Sequence, residues 1–260
     1  MLKILLITLF LIPVQLQAKT RIIVLDVKEG QSVLIKHNNE ALLIDTGHAG
    51  QSYRVLNKLG QYGIKDVKNI ILTHLHPDHA SGYFRLKEAF PQAKIFSNCH
   101  PLPANIQPDI TRWVNEALQT DNEHRCLNAG DSLSFYDAEL TILWPQKFLN
   151  NNLNQHSLVI KISVNKNNIL LMGDAGIKVE QALISDKKLP TNISTLIVGH
   201  HGANDATSQK FLHTIKPNTA VISVNKNNIR GYPAKETIKR LKEMNIKIIR
   251  TDMQGDISIY

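Results

Sequence analysis

Short runs of Ile, Val and Leu, bounded by Gly, Asn, Asp or Pro, recur along this chain and read as strands. They predict strands over residues 22–27, 32–37 and 41–45, the last two joined by the turn-forming pair Asn38-Asn39. Further strands are expected at 69–73 and 94–97. Apolar residues at helical spacing predict helices over 53–62, ended by Gly63, over 83–90, closed by Pro91, and over 110–118. Strands recur at 132–136, 140–143, 157–164 and 169–172, with an Asn-containing turn at 165–168. The last third alternates strands at 195–198, 219–223 and 247–250 with helices at 208–215 and 234–244, and a closing strand falls at 257–259. Residues 98–130 are the least patterned, and 101–108 read as a surface loop. Runs of strands followed by a helix, twice over, imply two β-rich halves: two sheets packed face to face, with helices covering each outer face.

The amino end follows other rules. Lys3, an apolar centre over 4–12, then Pro13 and a small residue, Ala18, before Lys19 match a secretory signal peptide over 1–18. Its apolar stretch is too short to span a bilayer, and no later segment is long and apolar enough to do so. The mature chain, 19–260, therefore reads as one soluble, exported domain without stable membrane insertion. The formal charge is +8, and loss of Lys3 with the leader leaves +7. That excess suits an anionic partner through its long-range field. Lysines such as Lys58, Lys87, Lys178 and Lys239 are scattered, however, as on ordinary solvated faces. Cys99 and Cys126 form no CxxC metal pattern. In an oxidising compartment a bridge between them would stabilise by ~3 kcal/mol, and the bridge is the expectation, since both flank the same insertion.

The chemistry concentrates where strands end. His74-Leu75-His76-Pro77-Asp78-His79 directly follows the apolar run 70–73, packing three imidazoles and a carboxylate into six positions. Neutral imidazole nitrogen and carboxylate oxygen are the donors of catalytic zinc-type sites, and a polar loop with incidental histidines does not account for this density. Four more strand ends carry matching groups. Leu43-Ile44-Asp45-Thr46-Gly47 and Leu171-Met172-Gly173-Asp174-Ala175 each place an acid at a glycine turn, Val198-Gly199-His200-His201-Gly202 places paired histidines, and Asn154-Gln155-His156-Ser157 opens the strand before Asp174.

In this order and spacing the elements resemble the metallo-β-lactamase superfamily, over nearly the whole mature chain. Within it the chain is most similar to the soluble metallo-hydrolase domain of ComEC-type competence proteins. That likeness rests on Leu25-Asp26-Val27 with Gly30-Gln31-Ser32, on His200-His201-Gly202, on Lys216-Pro217, on Asn228 with Gly231 and Pro233, and on Arg250-Thr251-Asp252 with Gly255. The resemblance implies a four-layer αββα sandwich of the α/β class and two divalent metal ions, zinc by ligand type with manganese as the alternative. It implies that His74 and His76 hold one metal, that Asp78 and His79 hold the second, and that Asp174 bridges them. One of the pair His200 and His201, with His201 preferred, completes the second site, and His200 then faces substrate. The third ligand of the first metal stays open between Asn154, the ComEC-type residue, and His156. Asp45 is expected to support the loop by hydrogen bonding. Two departures stand out: Tyr232 occupies the place of a family histidine and protonates a leaving group less readily, with its ordinary pKa near about 10, and Ala203 replaces a common serine.

Two ions about 3.5–4 Å apart ionise water and stabilise entering and leaving oxygens; Asp78 and Asp174 would orient the resulting hydroxide. With the basic balance this favours an exported phosphodiesterase or nuclease linked to DNA uptake, acting on an anionic phosphoester such as single-stranded DNA. A lactonase or β-lactamase-type hydrolase uses the same chemistry, and a non-catalytic DNA-binding competence accessory is the third reading. The other histidines, His37, His48, His100, His124 and His213, are read as surface or loop residues, with His48 nearest the mouth.

Overall fold

A computed structural model describes residues 19–100, 109–146 and 152–259. The leader expected over 1–18 and the loop over 101–108 lie outside them. The first half runs β1 (Arg21–Val24), β2 (Val33–His37), β3 (Glu40–Ile44), α1 (Ser52–Gln61), β4 (Asp66–Ile71), α2 (Pro77–Ala80), α3 (Tyr83–Ala89), β5 (Lys94–Ser97), α4 (Asp109–Thr120) and β6 (His124–Cys126). The second runs β7 (Ser132–Phe135), β8 (Ala138–Trp144), β9 (Val159–Val164), β10 (Asn167–Leu171), α5 (Ile177–Ser185), β11 (Thr195–Ile197), α6 (Gln209–Ile215), β12 (Thr219–Ile222), α7 (Lys235–Glu243) and β13 (Lys247–Arg250). Helix α8 (Thr251–Gln254) and β14 (Ile257–Ile259) complete it.

The strands form two sheets, in the orders β14-β1-β2-β3-β4-β5-β6 and β13-β12-β11-β10-β9-β8-β7. Side chains alternate across a strand, and here both faces are apolar. Ile22, Val24, Val33, Ile35, Leu42, Ile44 and Ile71 point between the sheets, where they meet Leu140, Ile160, Ile162, Leu171 and Val221. Their neighbours Ile23, Leu34, Leu43 and Ile70 point outward onto Val55 and Leu59 of α1, Tyr83 and Leu86 of α3, and Val114 and Leu118 of α4. On the other sheet Leu170, Leu196, Ala220 and Ile222 meet Val179 and Leu183 of α5, Phe211 of α6 and Leu241 of α7. Each sheet is thus buried twice, and the four-layer αββα sandwich follows from that double burial.

Pairing turns parallel in the later strands of each sheet: β3–β4–β5–β6 in the first and β10–β11–β12–β13 in the second. Asp45, the 74–79 hexad, Asp174, the His200-His201 pair and Ser223 all follow the carboxyl ends of these parallel strands, the usual position for chemistry in α/β folds.

The structure differs from the sequence reading in several places. Residues 153–156 do not open a strand. They form a single 3-10 turn, capped by the Asn152 side chain, and β9 starts at Val159. Strands β6 and helices α2, α5 and α8 were not expected. The closing strand β14 leaves the second half to pair antiparallel with β1, Ile259 beside Ile22. The expected bridge, by contrast, is present: Cys99 and Cys126 are joined, with Cα atoms 5.3 Å apart, tying the segment after β5 to the last residue of β6.

Candidate metal centre

The hexad hangs from a buried acid. Asp45, fully buried at the end of β3 with φ 62°, accepts from the Thr73 amide at 2.7 Å, the Thr73 hydroxyl at 2.9 Å and the Gln31 amide at 2.9 Å. Its Oδ2 also lies 2.8 Å from His79 Nδ1. These contacts fix proton positions. His79 gives its Nδ1 proton to Asp45, which leaves its Nε2 to take either a metal ion or, in competition with it, a second proton. The Thr73 hydroxyl is spent on Asp45 and accepts from His74 Nδ1 at 3.2 Å, which leaves His74 Nε2 as a lone pair. His201 Nδ1 donates to the Ser223 carbonyl at 2.9 Å, freeing its Nε2.

The freed nitrogens converge. His79 Nε2 and His201 Nε2 are 3.2 Å apart, and His74 Nε2 lies 3.1 Å from His76 Nδ1. Between them sits Asp174, placed by the tight turn at Gly173 and held by its amide on the Ser157 hydroxyl at 3.1 Å. Its two oxygens divide the imidazoles: Oδ1 faces His79 at 3.1 Å and His201 at 3.6 Å, while Oδ2 faces His74 at 3.7 Å and His200 at 3.9 Å. Asp78 Oδ2 lies 3.5 Å from His201 Nε2. Two groups of donor atoms, each within 4.8 Å of one another, emerge: His74, His79 and Asp174, and Asp78, His79 and His201.

With both rings neutral, the two Nε2 lone pairs facing at 3.2 Å would repel, so the contact calls for a metal ion or a proton between them. Asp174 Oδ1 is buried and, among the described residues, is faced by those imidazoles alone, so it is compensated when a proton or a metal ion lies between them. The donor set is nitrogen and carboxylate oxygen throughout. These residues fit divalent metal ions.

The electrostatics agree. His74 is held well below its ordinary pKa by burial, aided by His79 beside it, and burial likewise lowers His76. Burial opposes a charge on His79 as well, yet the Asp174 and Asp45 carboxylates raise it well above its usual range. Burial opposes ionisation of Asp78 and Asp174 too, but His201 and His79 hold both far below the usual carboxylate range. Metal and protons therefore compete for one cage.

The histidine pair owes its reach to unusual backbone. His200 and His201 are both left-handed (φ 51° and 53°), and Gly202 follows at φ +81°, where a Cβ would lie 2.7 Å from Pro233 Cβ. This hairpin bend aims the two rings differently: His201 into the cage, His200 towards its rim, with His200 Nδ1 2.9 Å from Asp205 Oδ1. Burial opposes protonation of His200, but Asp205 and Asp174 raise its pKa. Gly30 matters for contact instead: a Cβ there would fall 1.7 Å from the Asp78 carbonyl, so only glycine lets the β1–β2 loop lie against the hexad.

The two candidates for the third place at the first metal part company. The Asn154 side chain reaches the rim, Nδ2 3.4 Å from His200 Nε2, and its Oδ1 is buried without a hydrogen bond. His76 and His156 are both absent from the two donor groups, but the His76 ring lies against His74, Nδ1 3.1 Å from its Nε2, whereas the His156 ring lies against His100, centroids 4.9 Å apart. The 3-10 turn explains the divergence, because residues two apart do not share a face there. Of the other histidines, His48 accepts from the Gly50 amide, His37 stacks on Tyr136 and His124 meets the Ser97 hydroxyl, so each has a local partner. Tyr232 lies at the mouth, its ring 5.5 Å from that of His200. Sequence reasoning passed over Asp205, which holds His200, and Arg230, whose Nη1 is 3.1 Å from Asp78 Oδ2. Neither sits in a motif of its own.

Comparison with known proteins follows the same lines. Residues 25–96 match the metallo-beta-lactamase superfamily model. The chain has the metallo-beta-lactamase fold. Among solved structures, the metallo-beta-lactamase fold protein YhfI from Bacillus subtilis superposes with a TM-score of 0.61 at 14% identity, covering 93% of this chain and all of that one. Recombination protein 2 of Haemophilus influenzae is 28% identical over 240 residues, 90% of this chain and 28% of that protein. ComE operon protein 3 of Bacillus subtilis is 26% identical over 276 residues, 96% of this chain and 34% of that protein. The metallo-beta-lactamase-fold chain thus resembles competence and recombination proteins along nearly all of its length, while spanning about a third of theirs.

Proposed function

We propose that this chain is an exported, metal-dependent phosphodiesterase or nuclease acting on an anionic phosphoester, single-stranded DNA among the candidates, in a role linked to DNA uptake. One observation carries the reading: Asp174 lies between the imidazoles, with one oxygen towards His79 and His201 and the other towards His74 and His200, where it could be shared by two cations. His74, His76 and Asp174 would hold the first ion, and Asp78, His79, Asp174 and His201 the second, with zinc suited to the donors and manganese the alternative. Ions bound there would supply Lewis acidity and acidify a water.

The chain's own residues do the rest. Asp45 orients His79, and Ser223 orients His201, so neither ring swings as charge develops. His200, held by Asp205 at the rim, is placed to give a proton to a leaving oxygen, and Tyr232 beside it narrows the approach. A phosphodiester is favoured over an acyl substrate for two reasons. Asn154, not a histidine, reaches the rim of the cage beside His200, and the chain carries a formal charge of +8. The disulfide supports export to an oxidising compartment.

The test is hydrolysis by protein whose mass and metal content are measured. Bis-p-nitrophenyl phosphate and single-stranded DNA are expected to be cut, chelator to stop the cutting, and nitrocefin to survive. Intact, metal-loaded protein that opens nitrocefin and leaves both diesters whole refutes the proposal.

A further inference from the structure

Arg230 is poorly explained by packing. Its side chain is half exposed, yet its guanidinium is committed to Asp78 Oδ2 at 3.1 Å, the same oxygen that lies 3.5 Å from His201 Nε2. A carboxylate that serves a cation has little charge left for a guanidinium. Arg230 would then stand at the mouth of a positively charged centre with its strongest partner spent. Glu29, which lines the same recess with Gly30, Asp78, His201 and Tyr232, is the other acid facing it.

The loop that carries Arg230 is built to present it. Asn228 staples residues 225–232 from inside: its Nδ2 donates to the carbonyls of Asn225 at 2.7 Å and Tyr232 at 2.8 Å, and its Oδ1 accepts from the Tyr232 amide at 2.7 Å. Gly231 turns the chain at φ +69°, and the preceding Ile229 is fully exposed. A stapled loop holding an arginine over the cage loses little freedom when that arginine takes a ligand. The planar fork of a guanidinium matches two oxygens of one phosphate.

We infer that Arg230 is a specificity-determining clamp for the non-bridging oxygens of a phosphoryl group, released from Asp78 when the metal centre is loaded. It rests on the phosphoester reading above and adds to it the residue that selects phosphate over a neutral acyl group. Ile229 and Tyr232, on either side of it, would take the apolar body of the group attached to that phosphate.

The experiment compares wild type with Arg230→Gln and Arg230→Lys, all metal-loaded with metal content measured. Binding of inorganic phosphate is followed by calorimetry, and binding of a short single-stranded oligonucleotide by fluorescence anisotropy across salt concentrations. The clamp predicts unchanged metal content and phosphate binding weakened about tenfold in Arg230→Gln. It also predicts a salt slope smaller by about 0.7, and only partial recovery in Arg230→Lys, whose ammonium lacks the fork. On bis-p-nitrophenyl phosphate, KM should rise more than kcat falls. Equal phosphate affinity in wild type and Arg230→Gln overturns the clamp. So does metal loss in Arg230→Gln, which would make Arg230 a positioning residue for Asp78, and so does wild type that binds no phosphate. The two readings fail separately: wild type that binds phosphate through Arg230 but cuts no diester sinks the function and leaves the clamp standing.

Discussion

The two halves of the metal centre are built on opposite plans. The amino-terminal half packs His74, His76, Asp78 and His79 into one hexad and wires it to a single fully buried acid, Asp45, through Thr73, Gln31 and His79. The carboxyl-terminal half gathers single residues from separate strand ends, each with its own tether: Asp174 to Ser157, His201 to the Ser223 carbonyl and His200 to Asp205. Geometry in the first half depends on one group and is all-or-none. In the second it is distributed, and damage to one tether leaves the others in place.

That contrast can be broken or sharpened by measurement. The largest effect belongs to the residue where the halves meet: Asp174→Ala should lower activity by ~10³ or more and reduce bound metal per chain, seen by elemental analysis, with the circular dichroism spectrum retained. Asp45→Ala comes next, since it strips four donors of a buried acceptor. It should cost about 3 kcal/mol in urea unfolding and 10–100-fold in metal affinity; a loss no larger than that of Ser157→Ala would erase the distinction between the plans. Cys99→Ser with Cys126→Ser should lower stability by ~3 kcal/mol without changing metal content, because neither cysteine belongs to the donor groups of the cage.

Two smaller effects probe the distributed half. His156, pushed down to about 4 by burial, binds no proton in the fold at pH values where the unfolded chain does. Stability from this group is therefore complete above about pH 6.5 and is lost as pH falls towards 4. Denaturation across that window should show a shallower slope in His156→Gln than in wild type. Least disruptive is Asp205→Asn, at an exposed tether: a several-fold fall in kcat and a lowered pKa for His200, read by NMR titration of metal-free protein, are expected.

How much of this could be read in the sequence depended on whether a signal was local. The hexad, Asp174 and His200-His201 were legible because each is a compact polar cluster at the end of an apolar run, and the strands were legible because both faces are apolar. Helix α5 escaped notice because Glu180, an acid, sits on its inner face, buried to receive the amides of Thr207 and Ser208. Strand β6, His-Arg-Cys, is short and polar and exists only through pairing with β5. The choice between Asn154 and His156 turned on a 3-10 turn that spacing alone does not reveal. Asp205 and Arg230 matter only through partners 5 and 152 positions away in sequence, so nothing around them marks their role.

The pairing of β14 with β1 has a consequence for biogenesis. Ile22 finds its neighbour Ile259 only after all the strands between them have emerged from the ribosome. Until then β1 is an open edge carrying unpaired amides, a template for any other extended chain nearby. Assembly of the first sheet thereby waits on a strand from the far end of the fold, a high-contact-order closure that favours slow and cooperative folding.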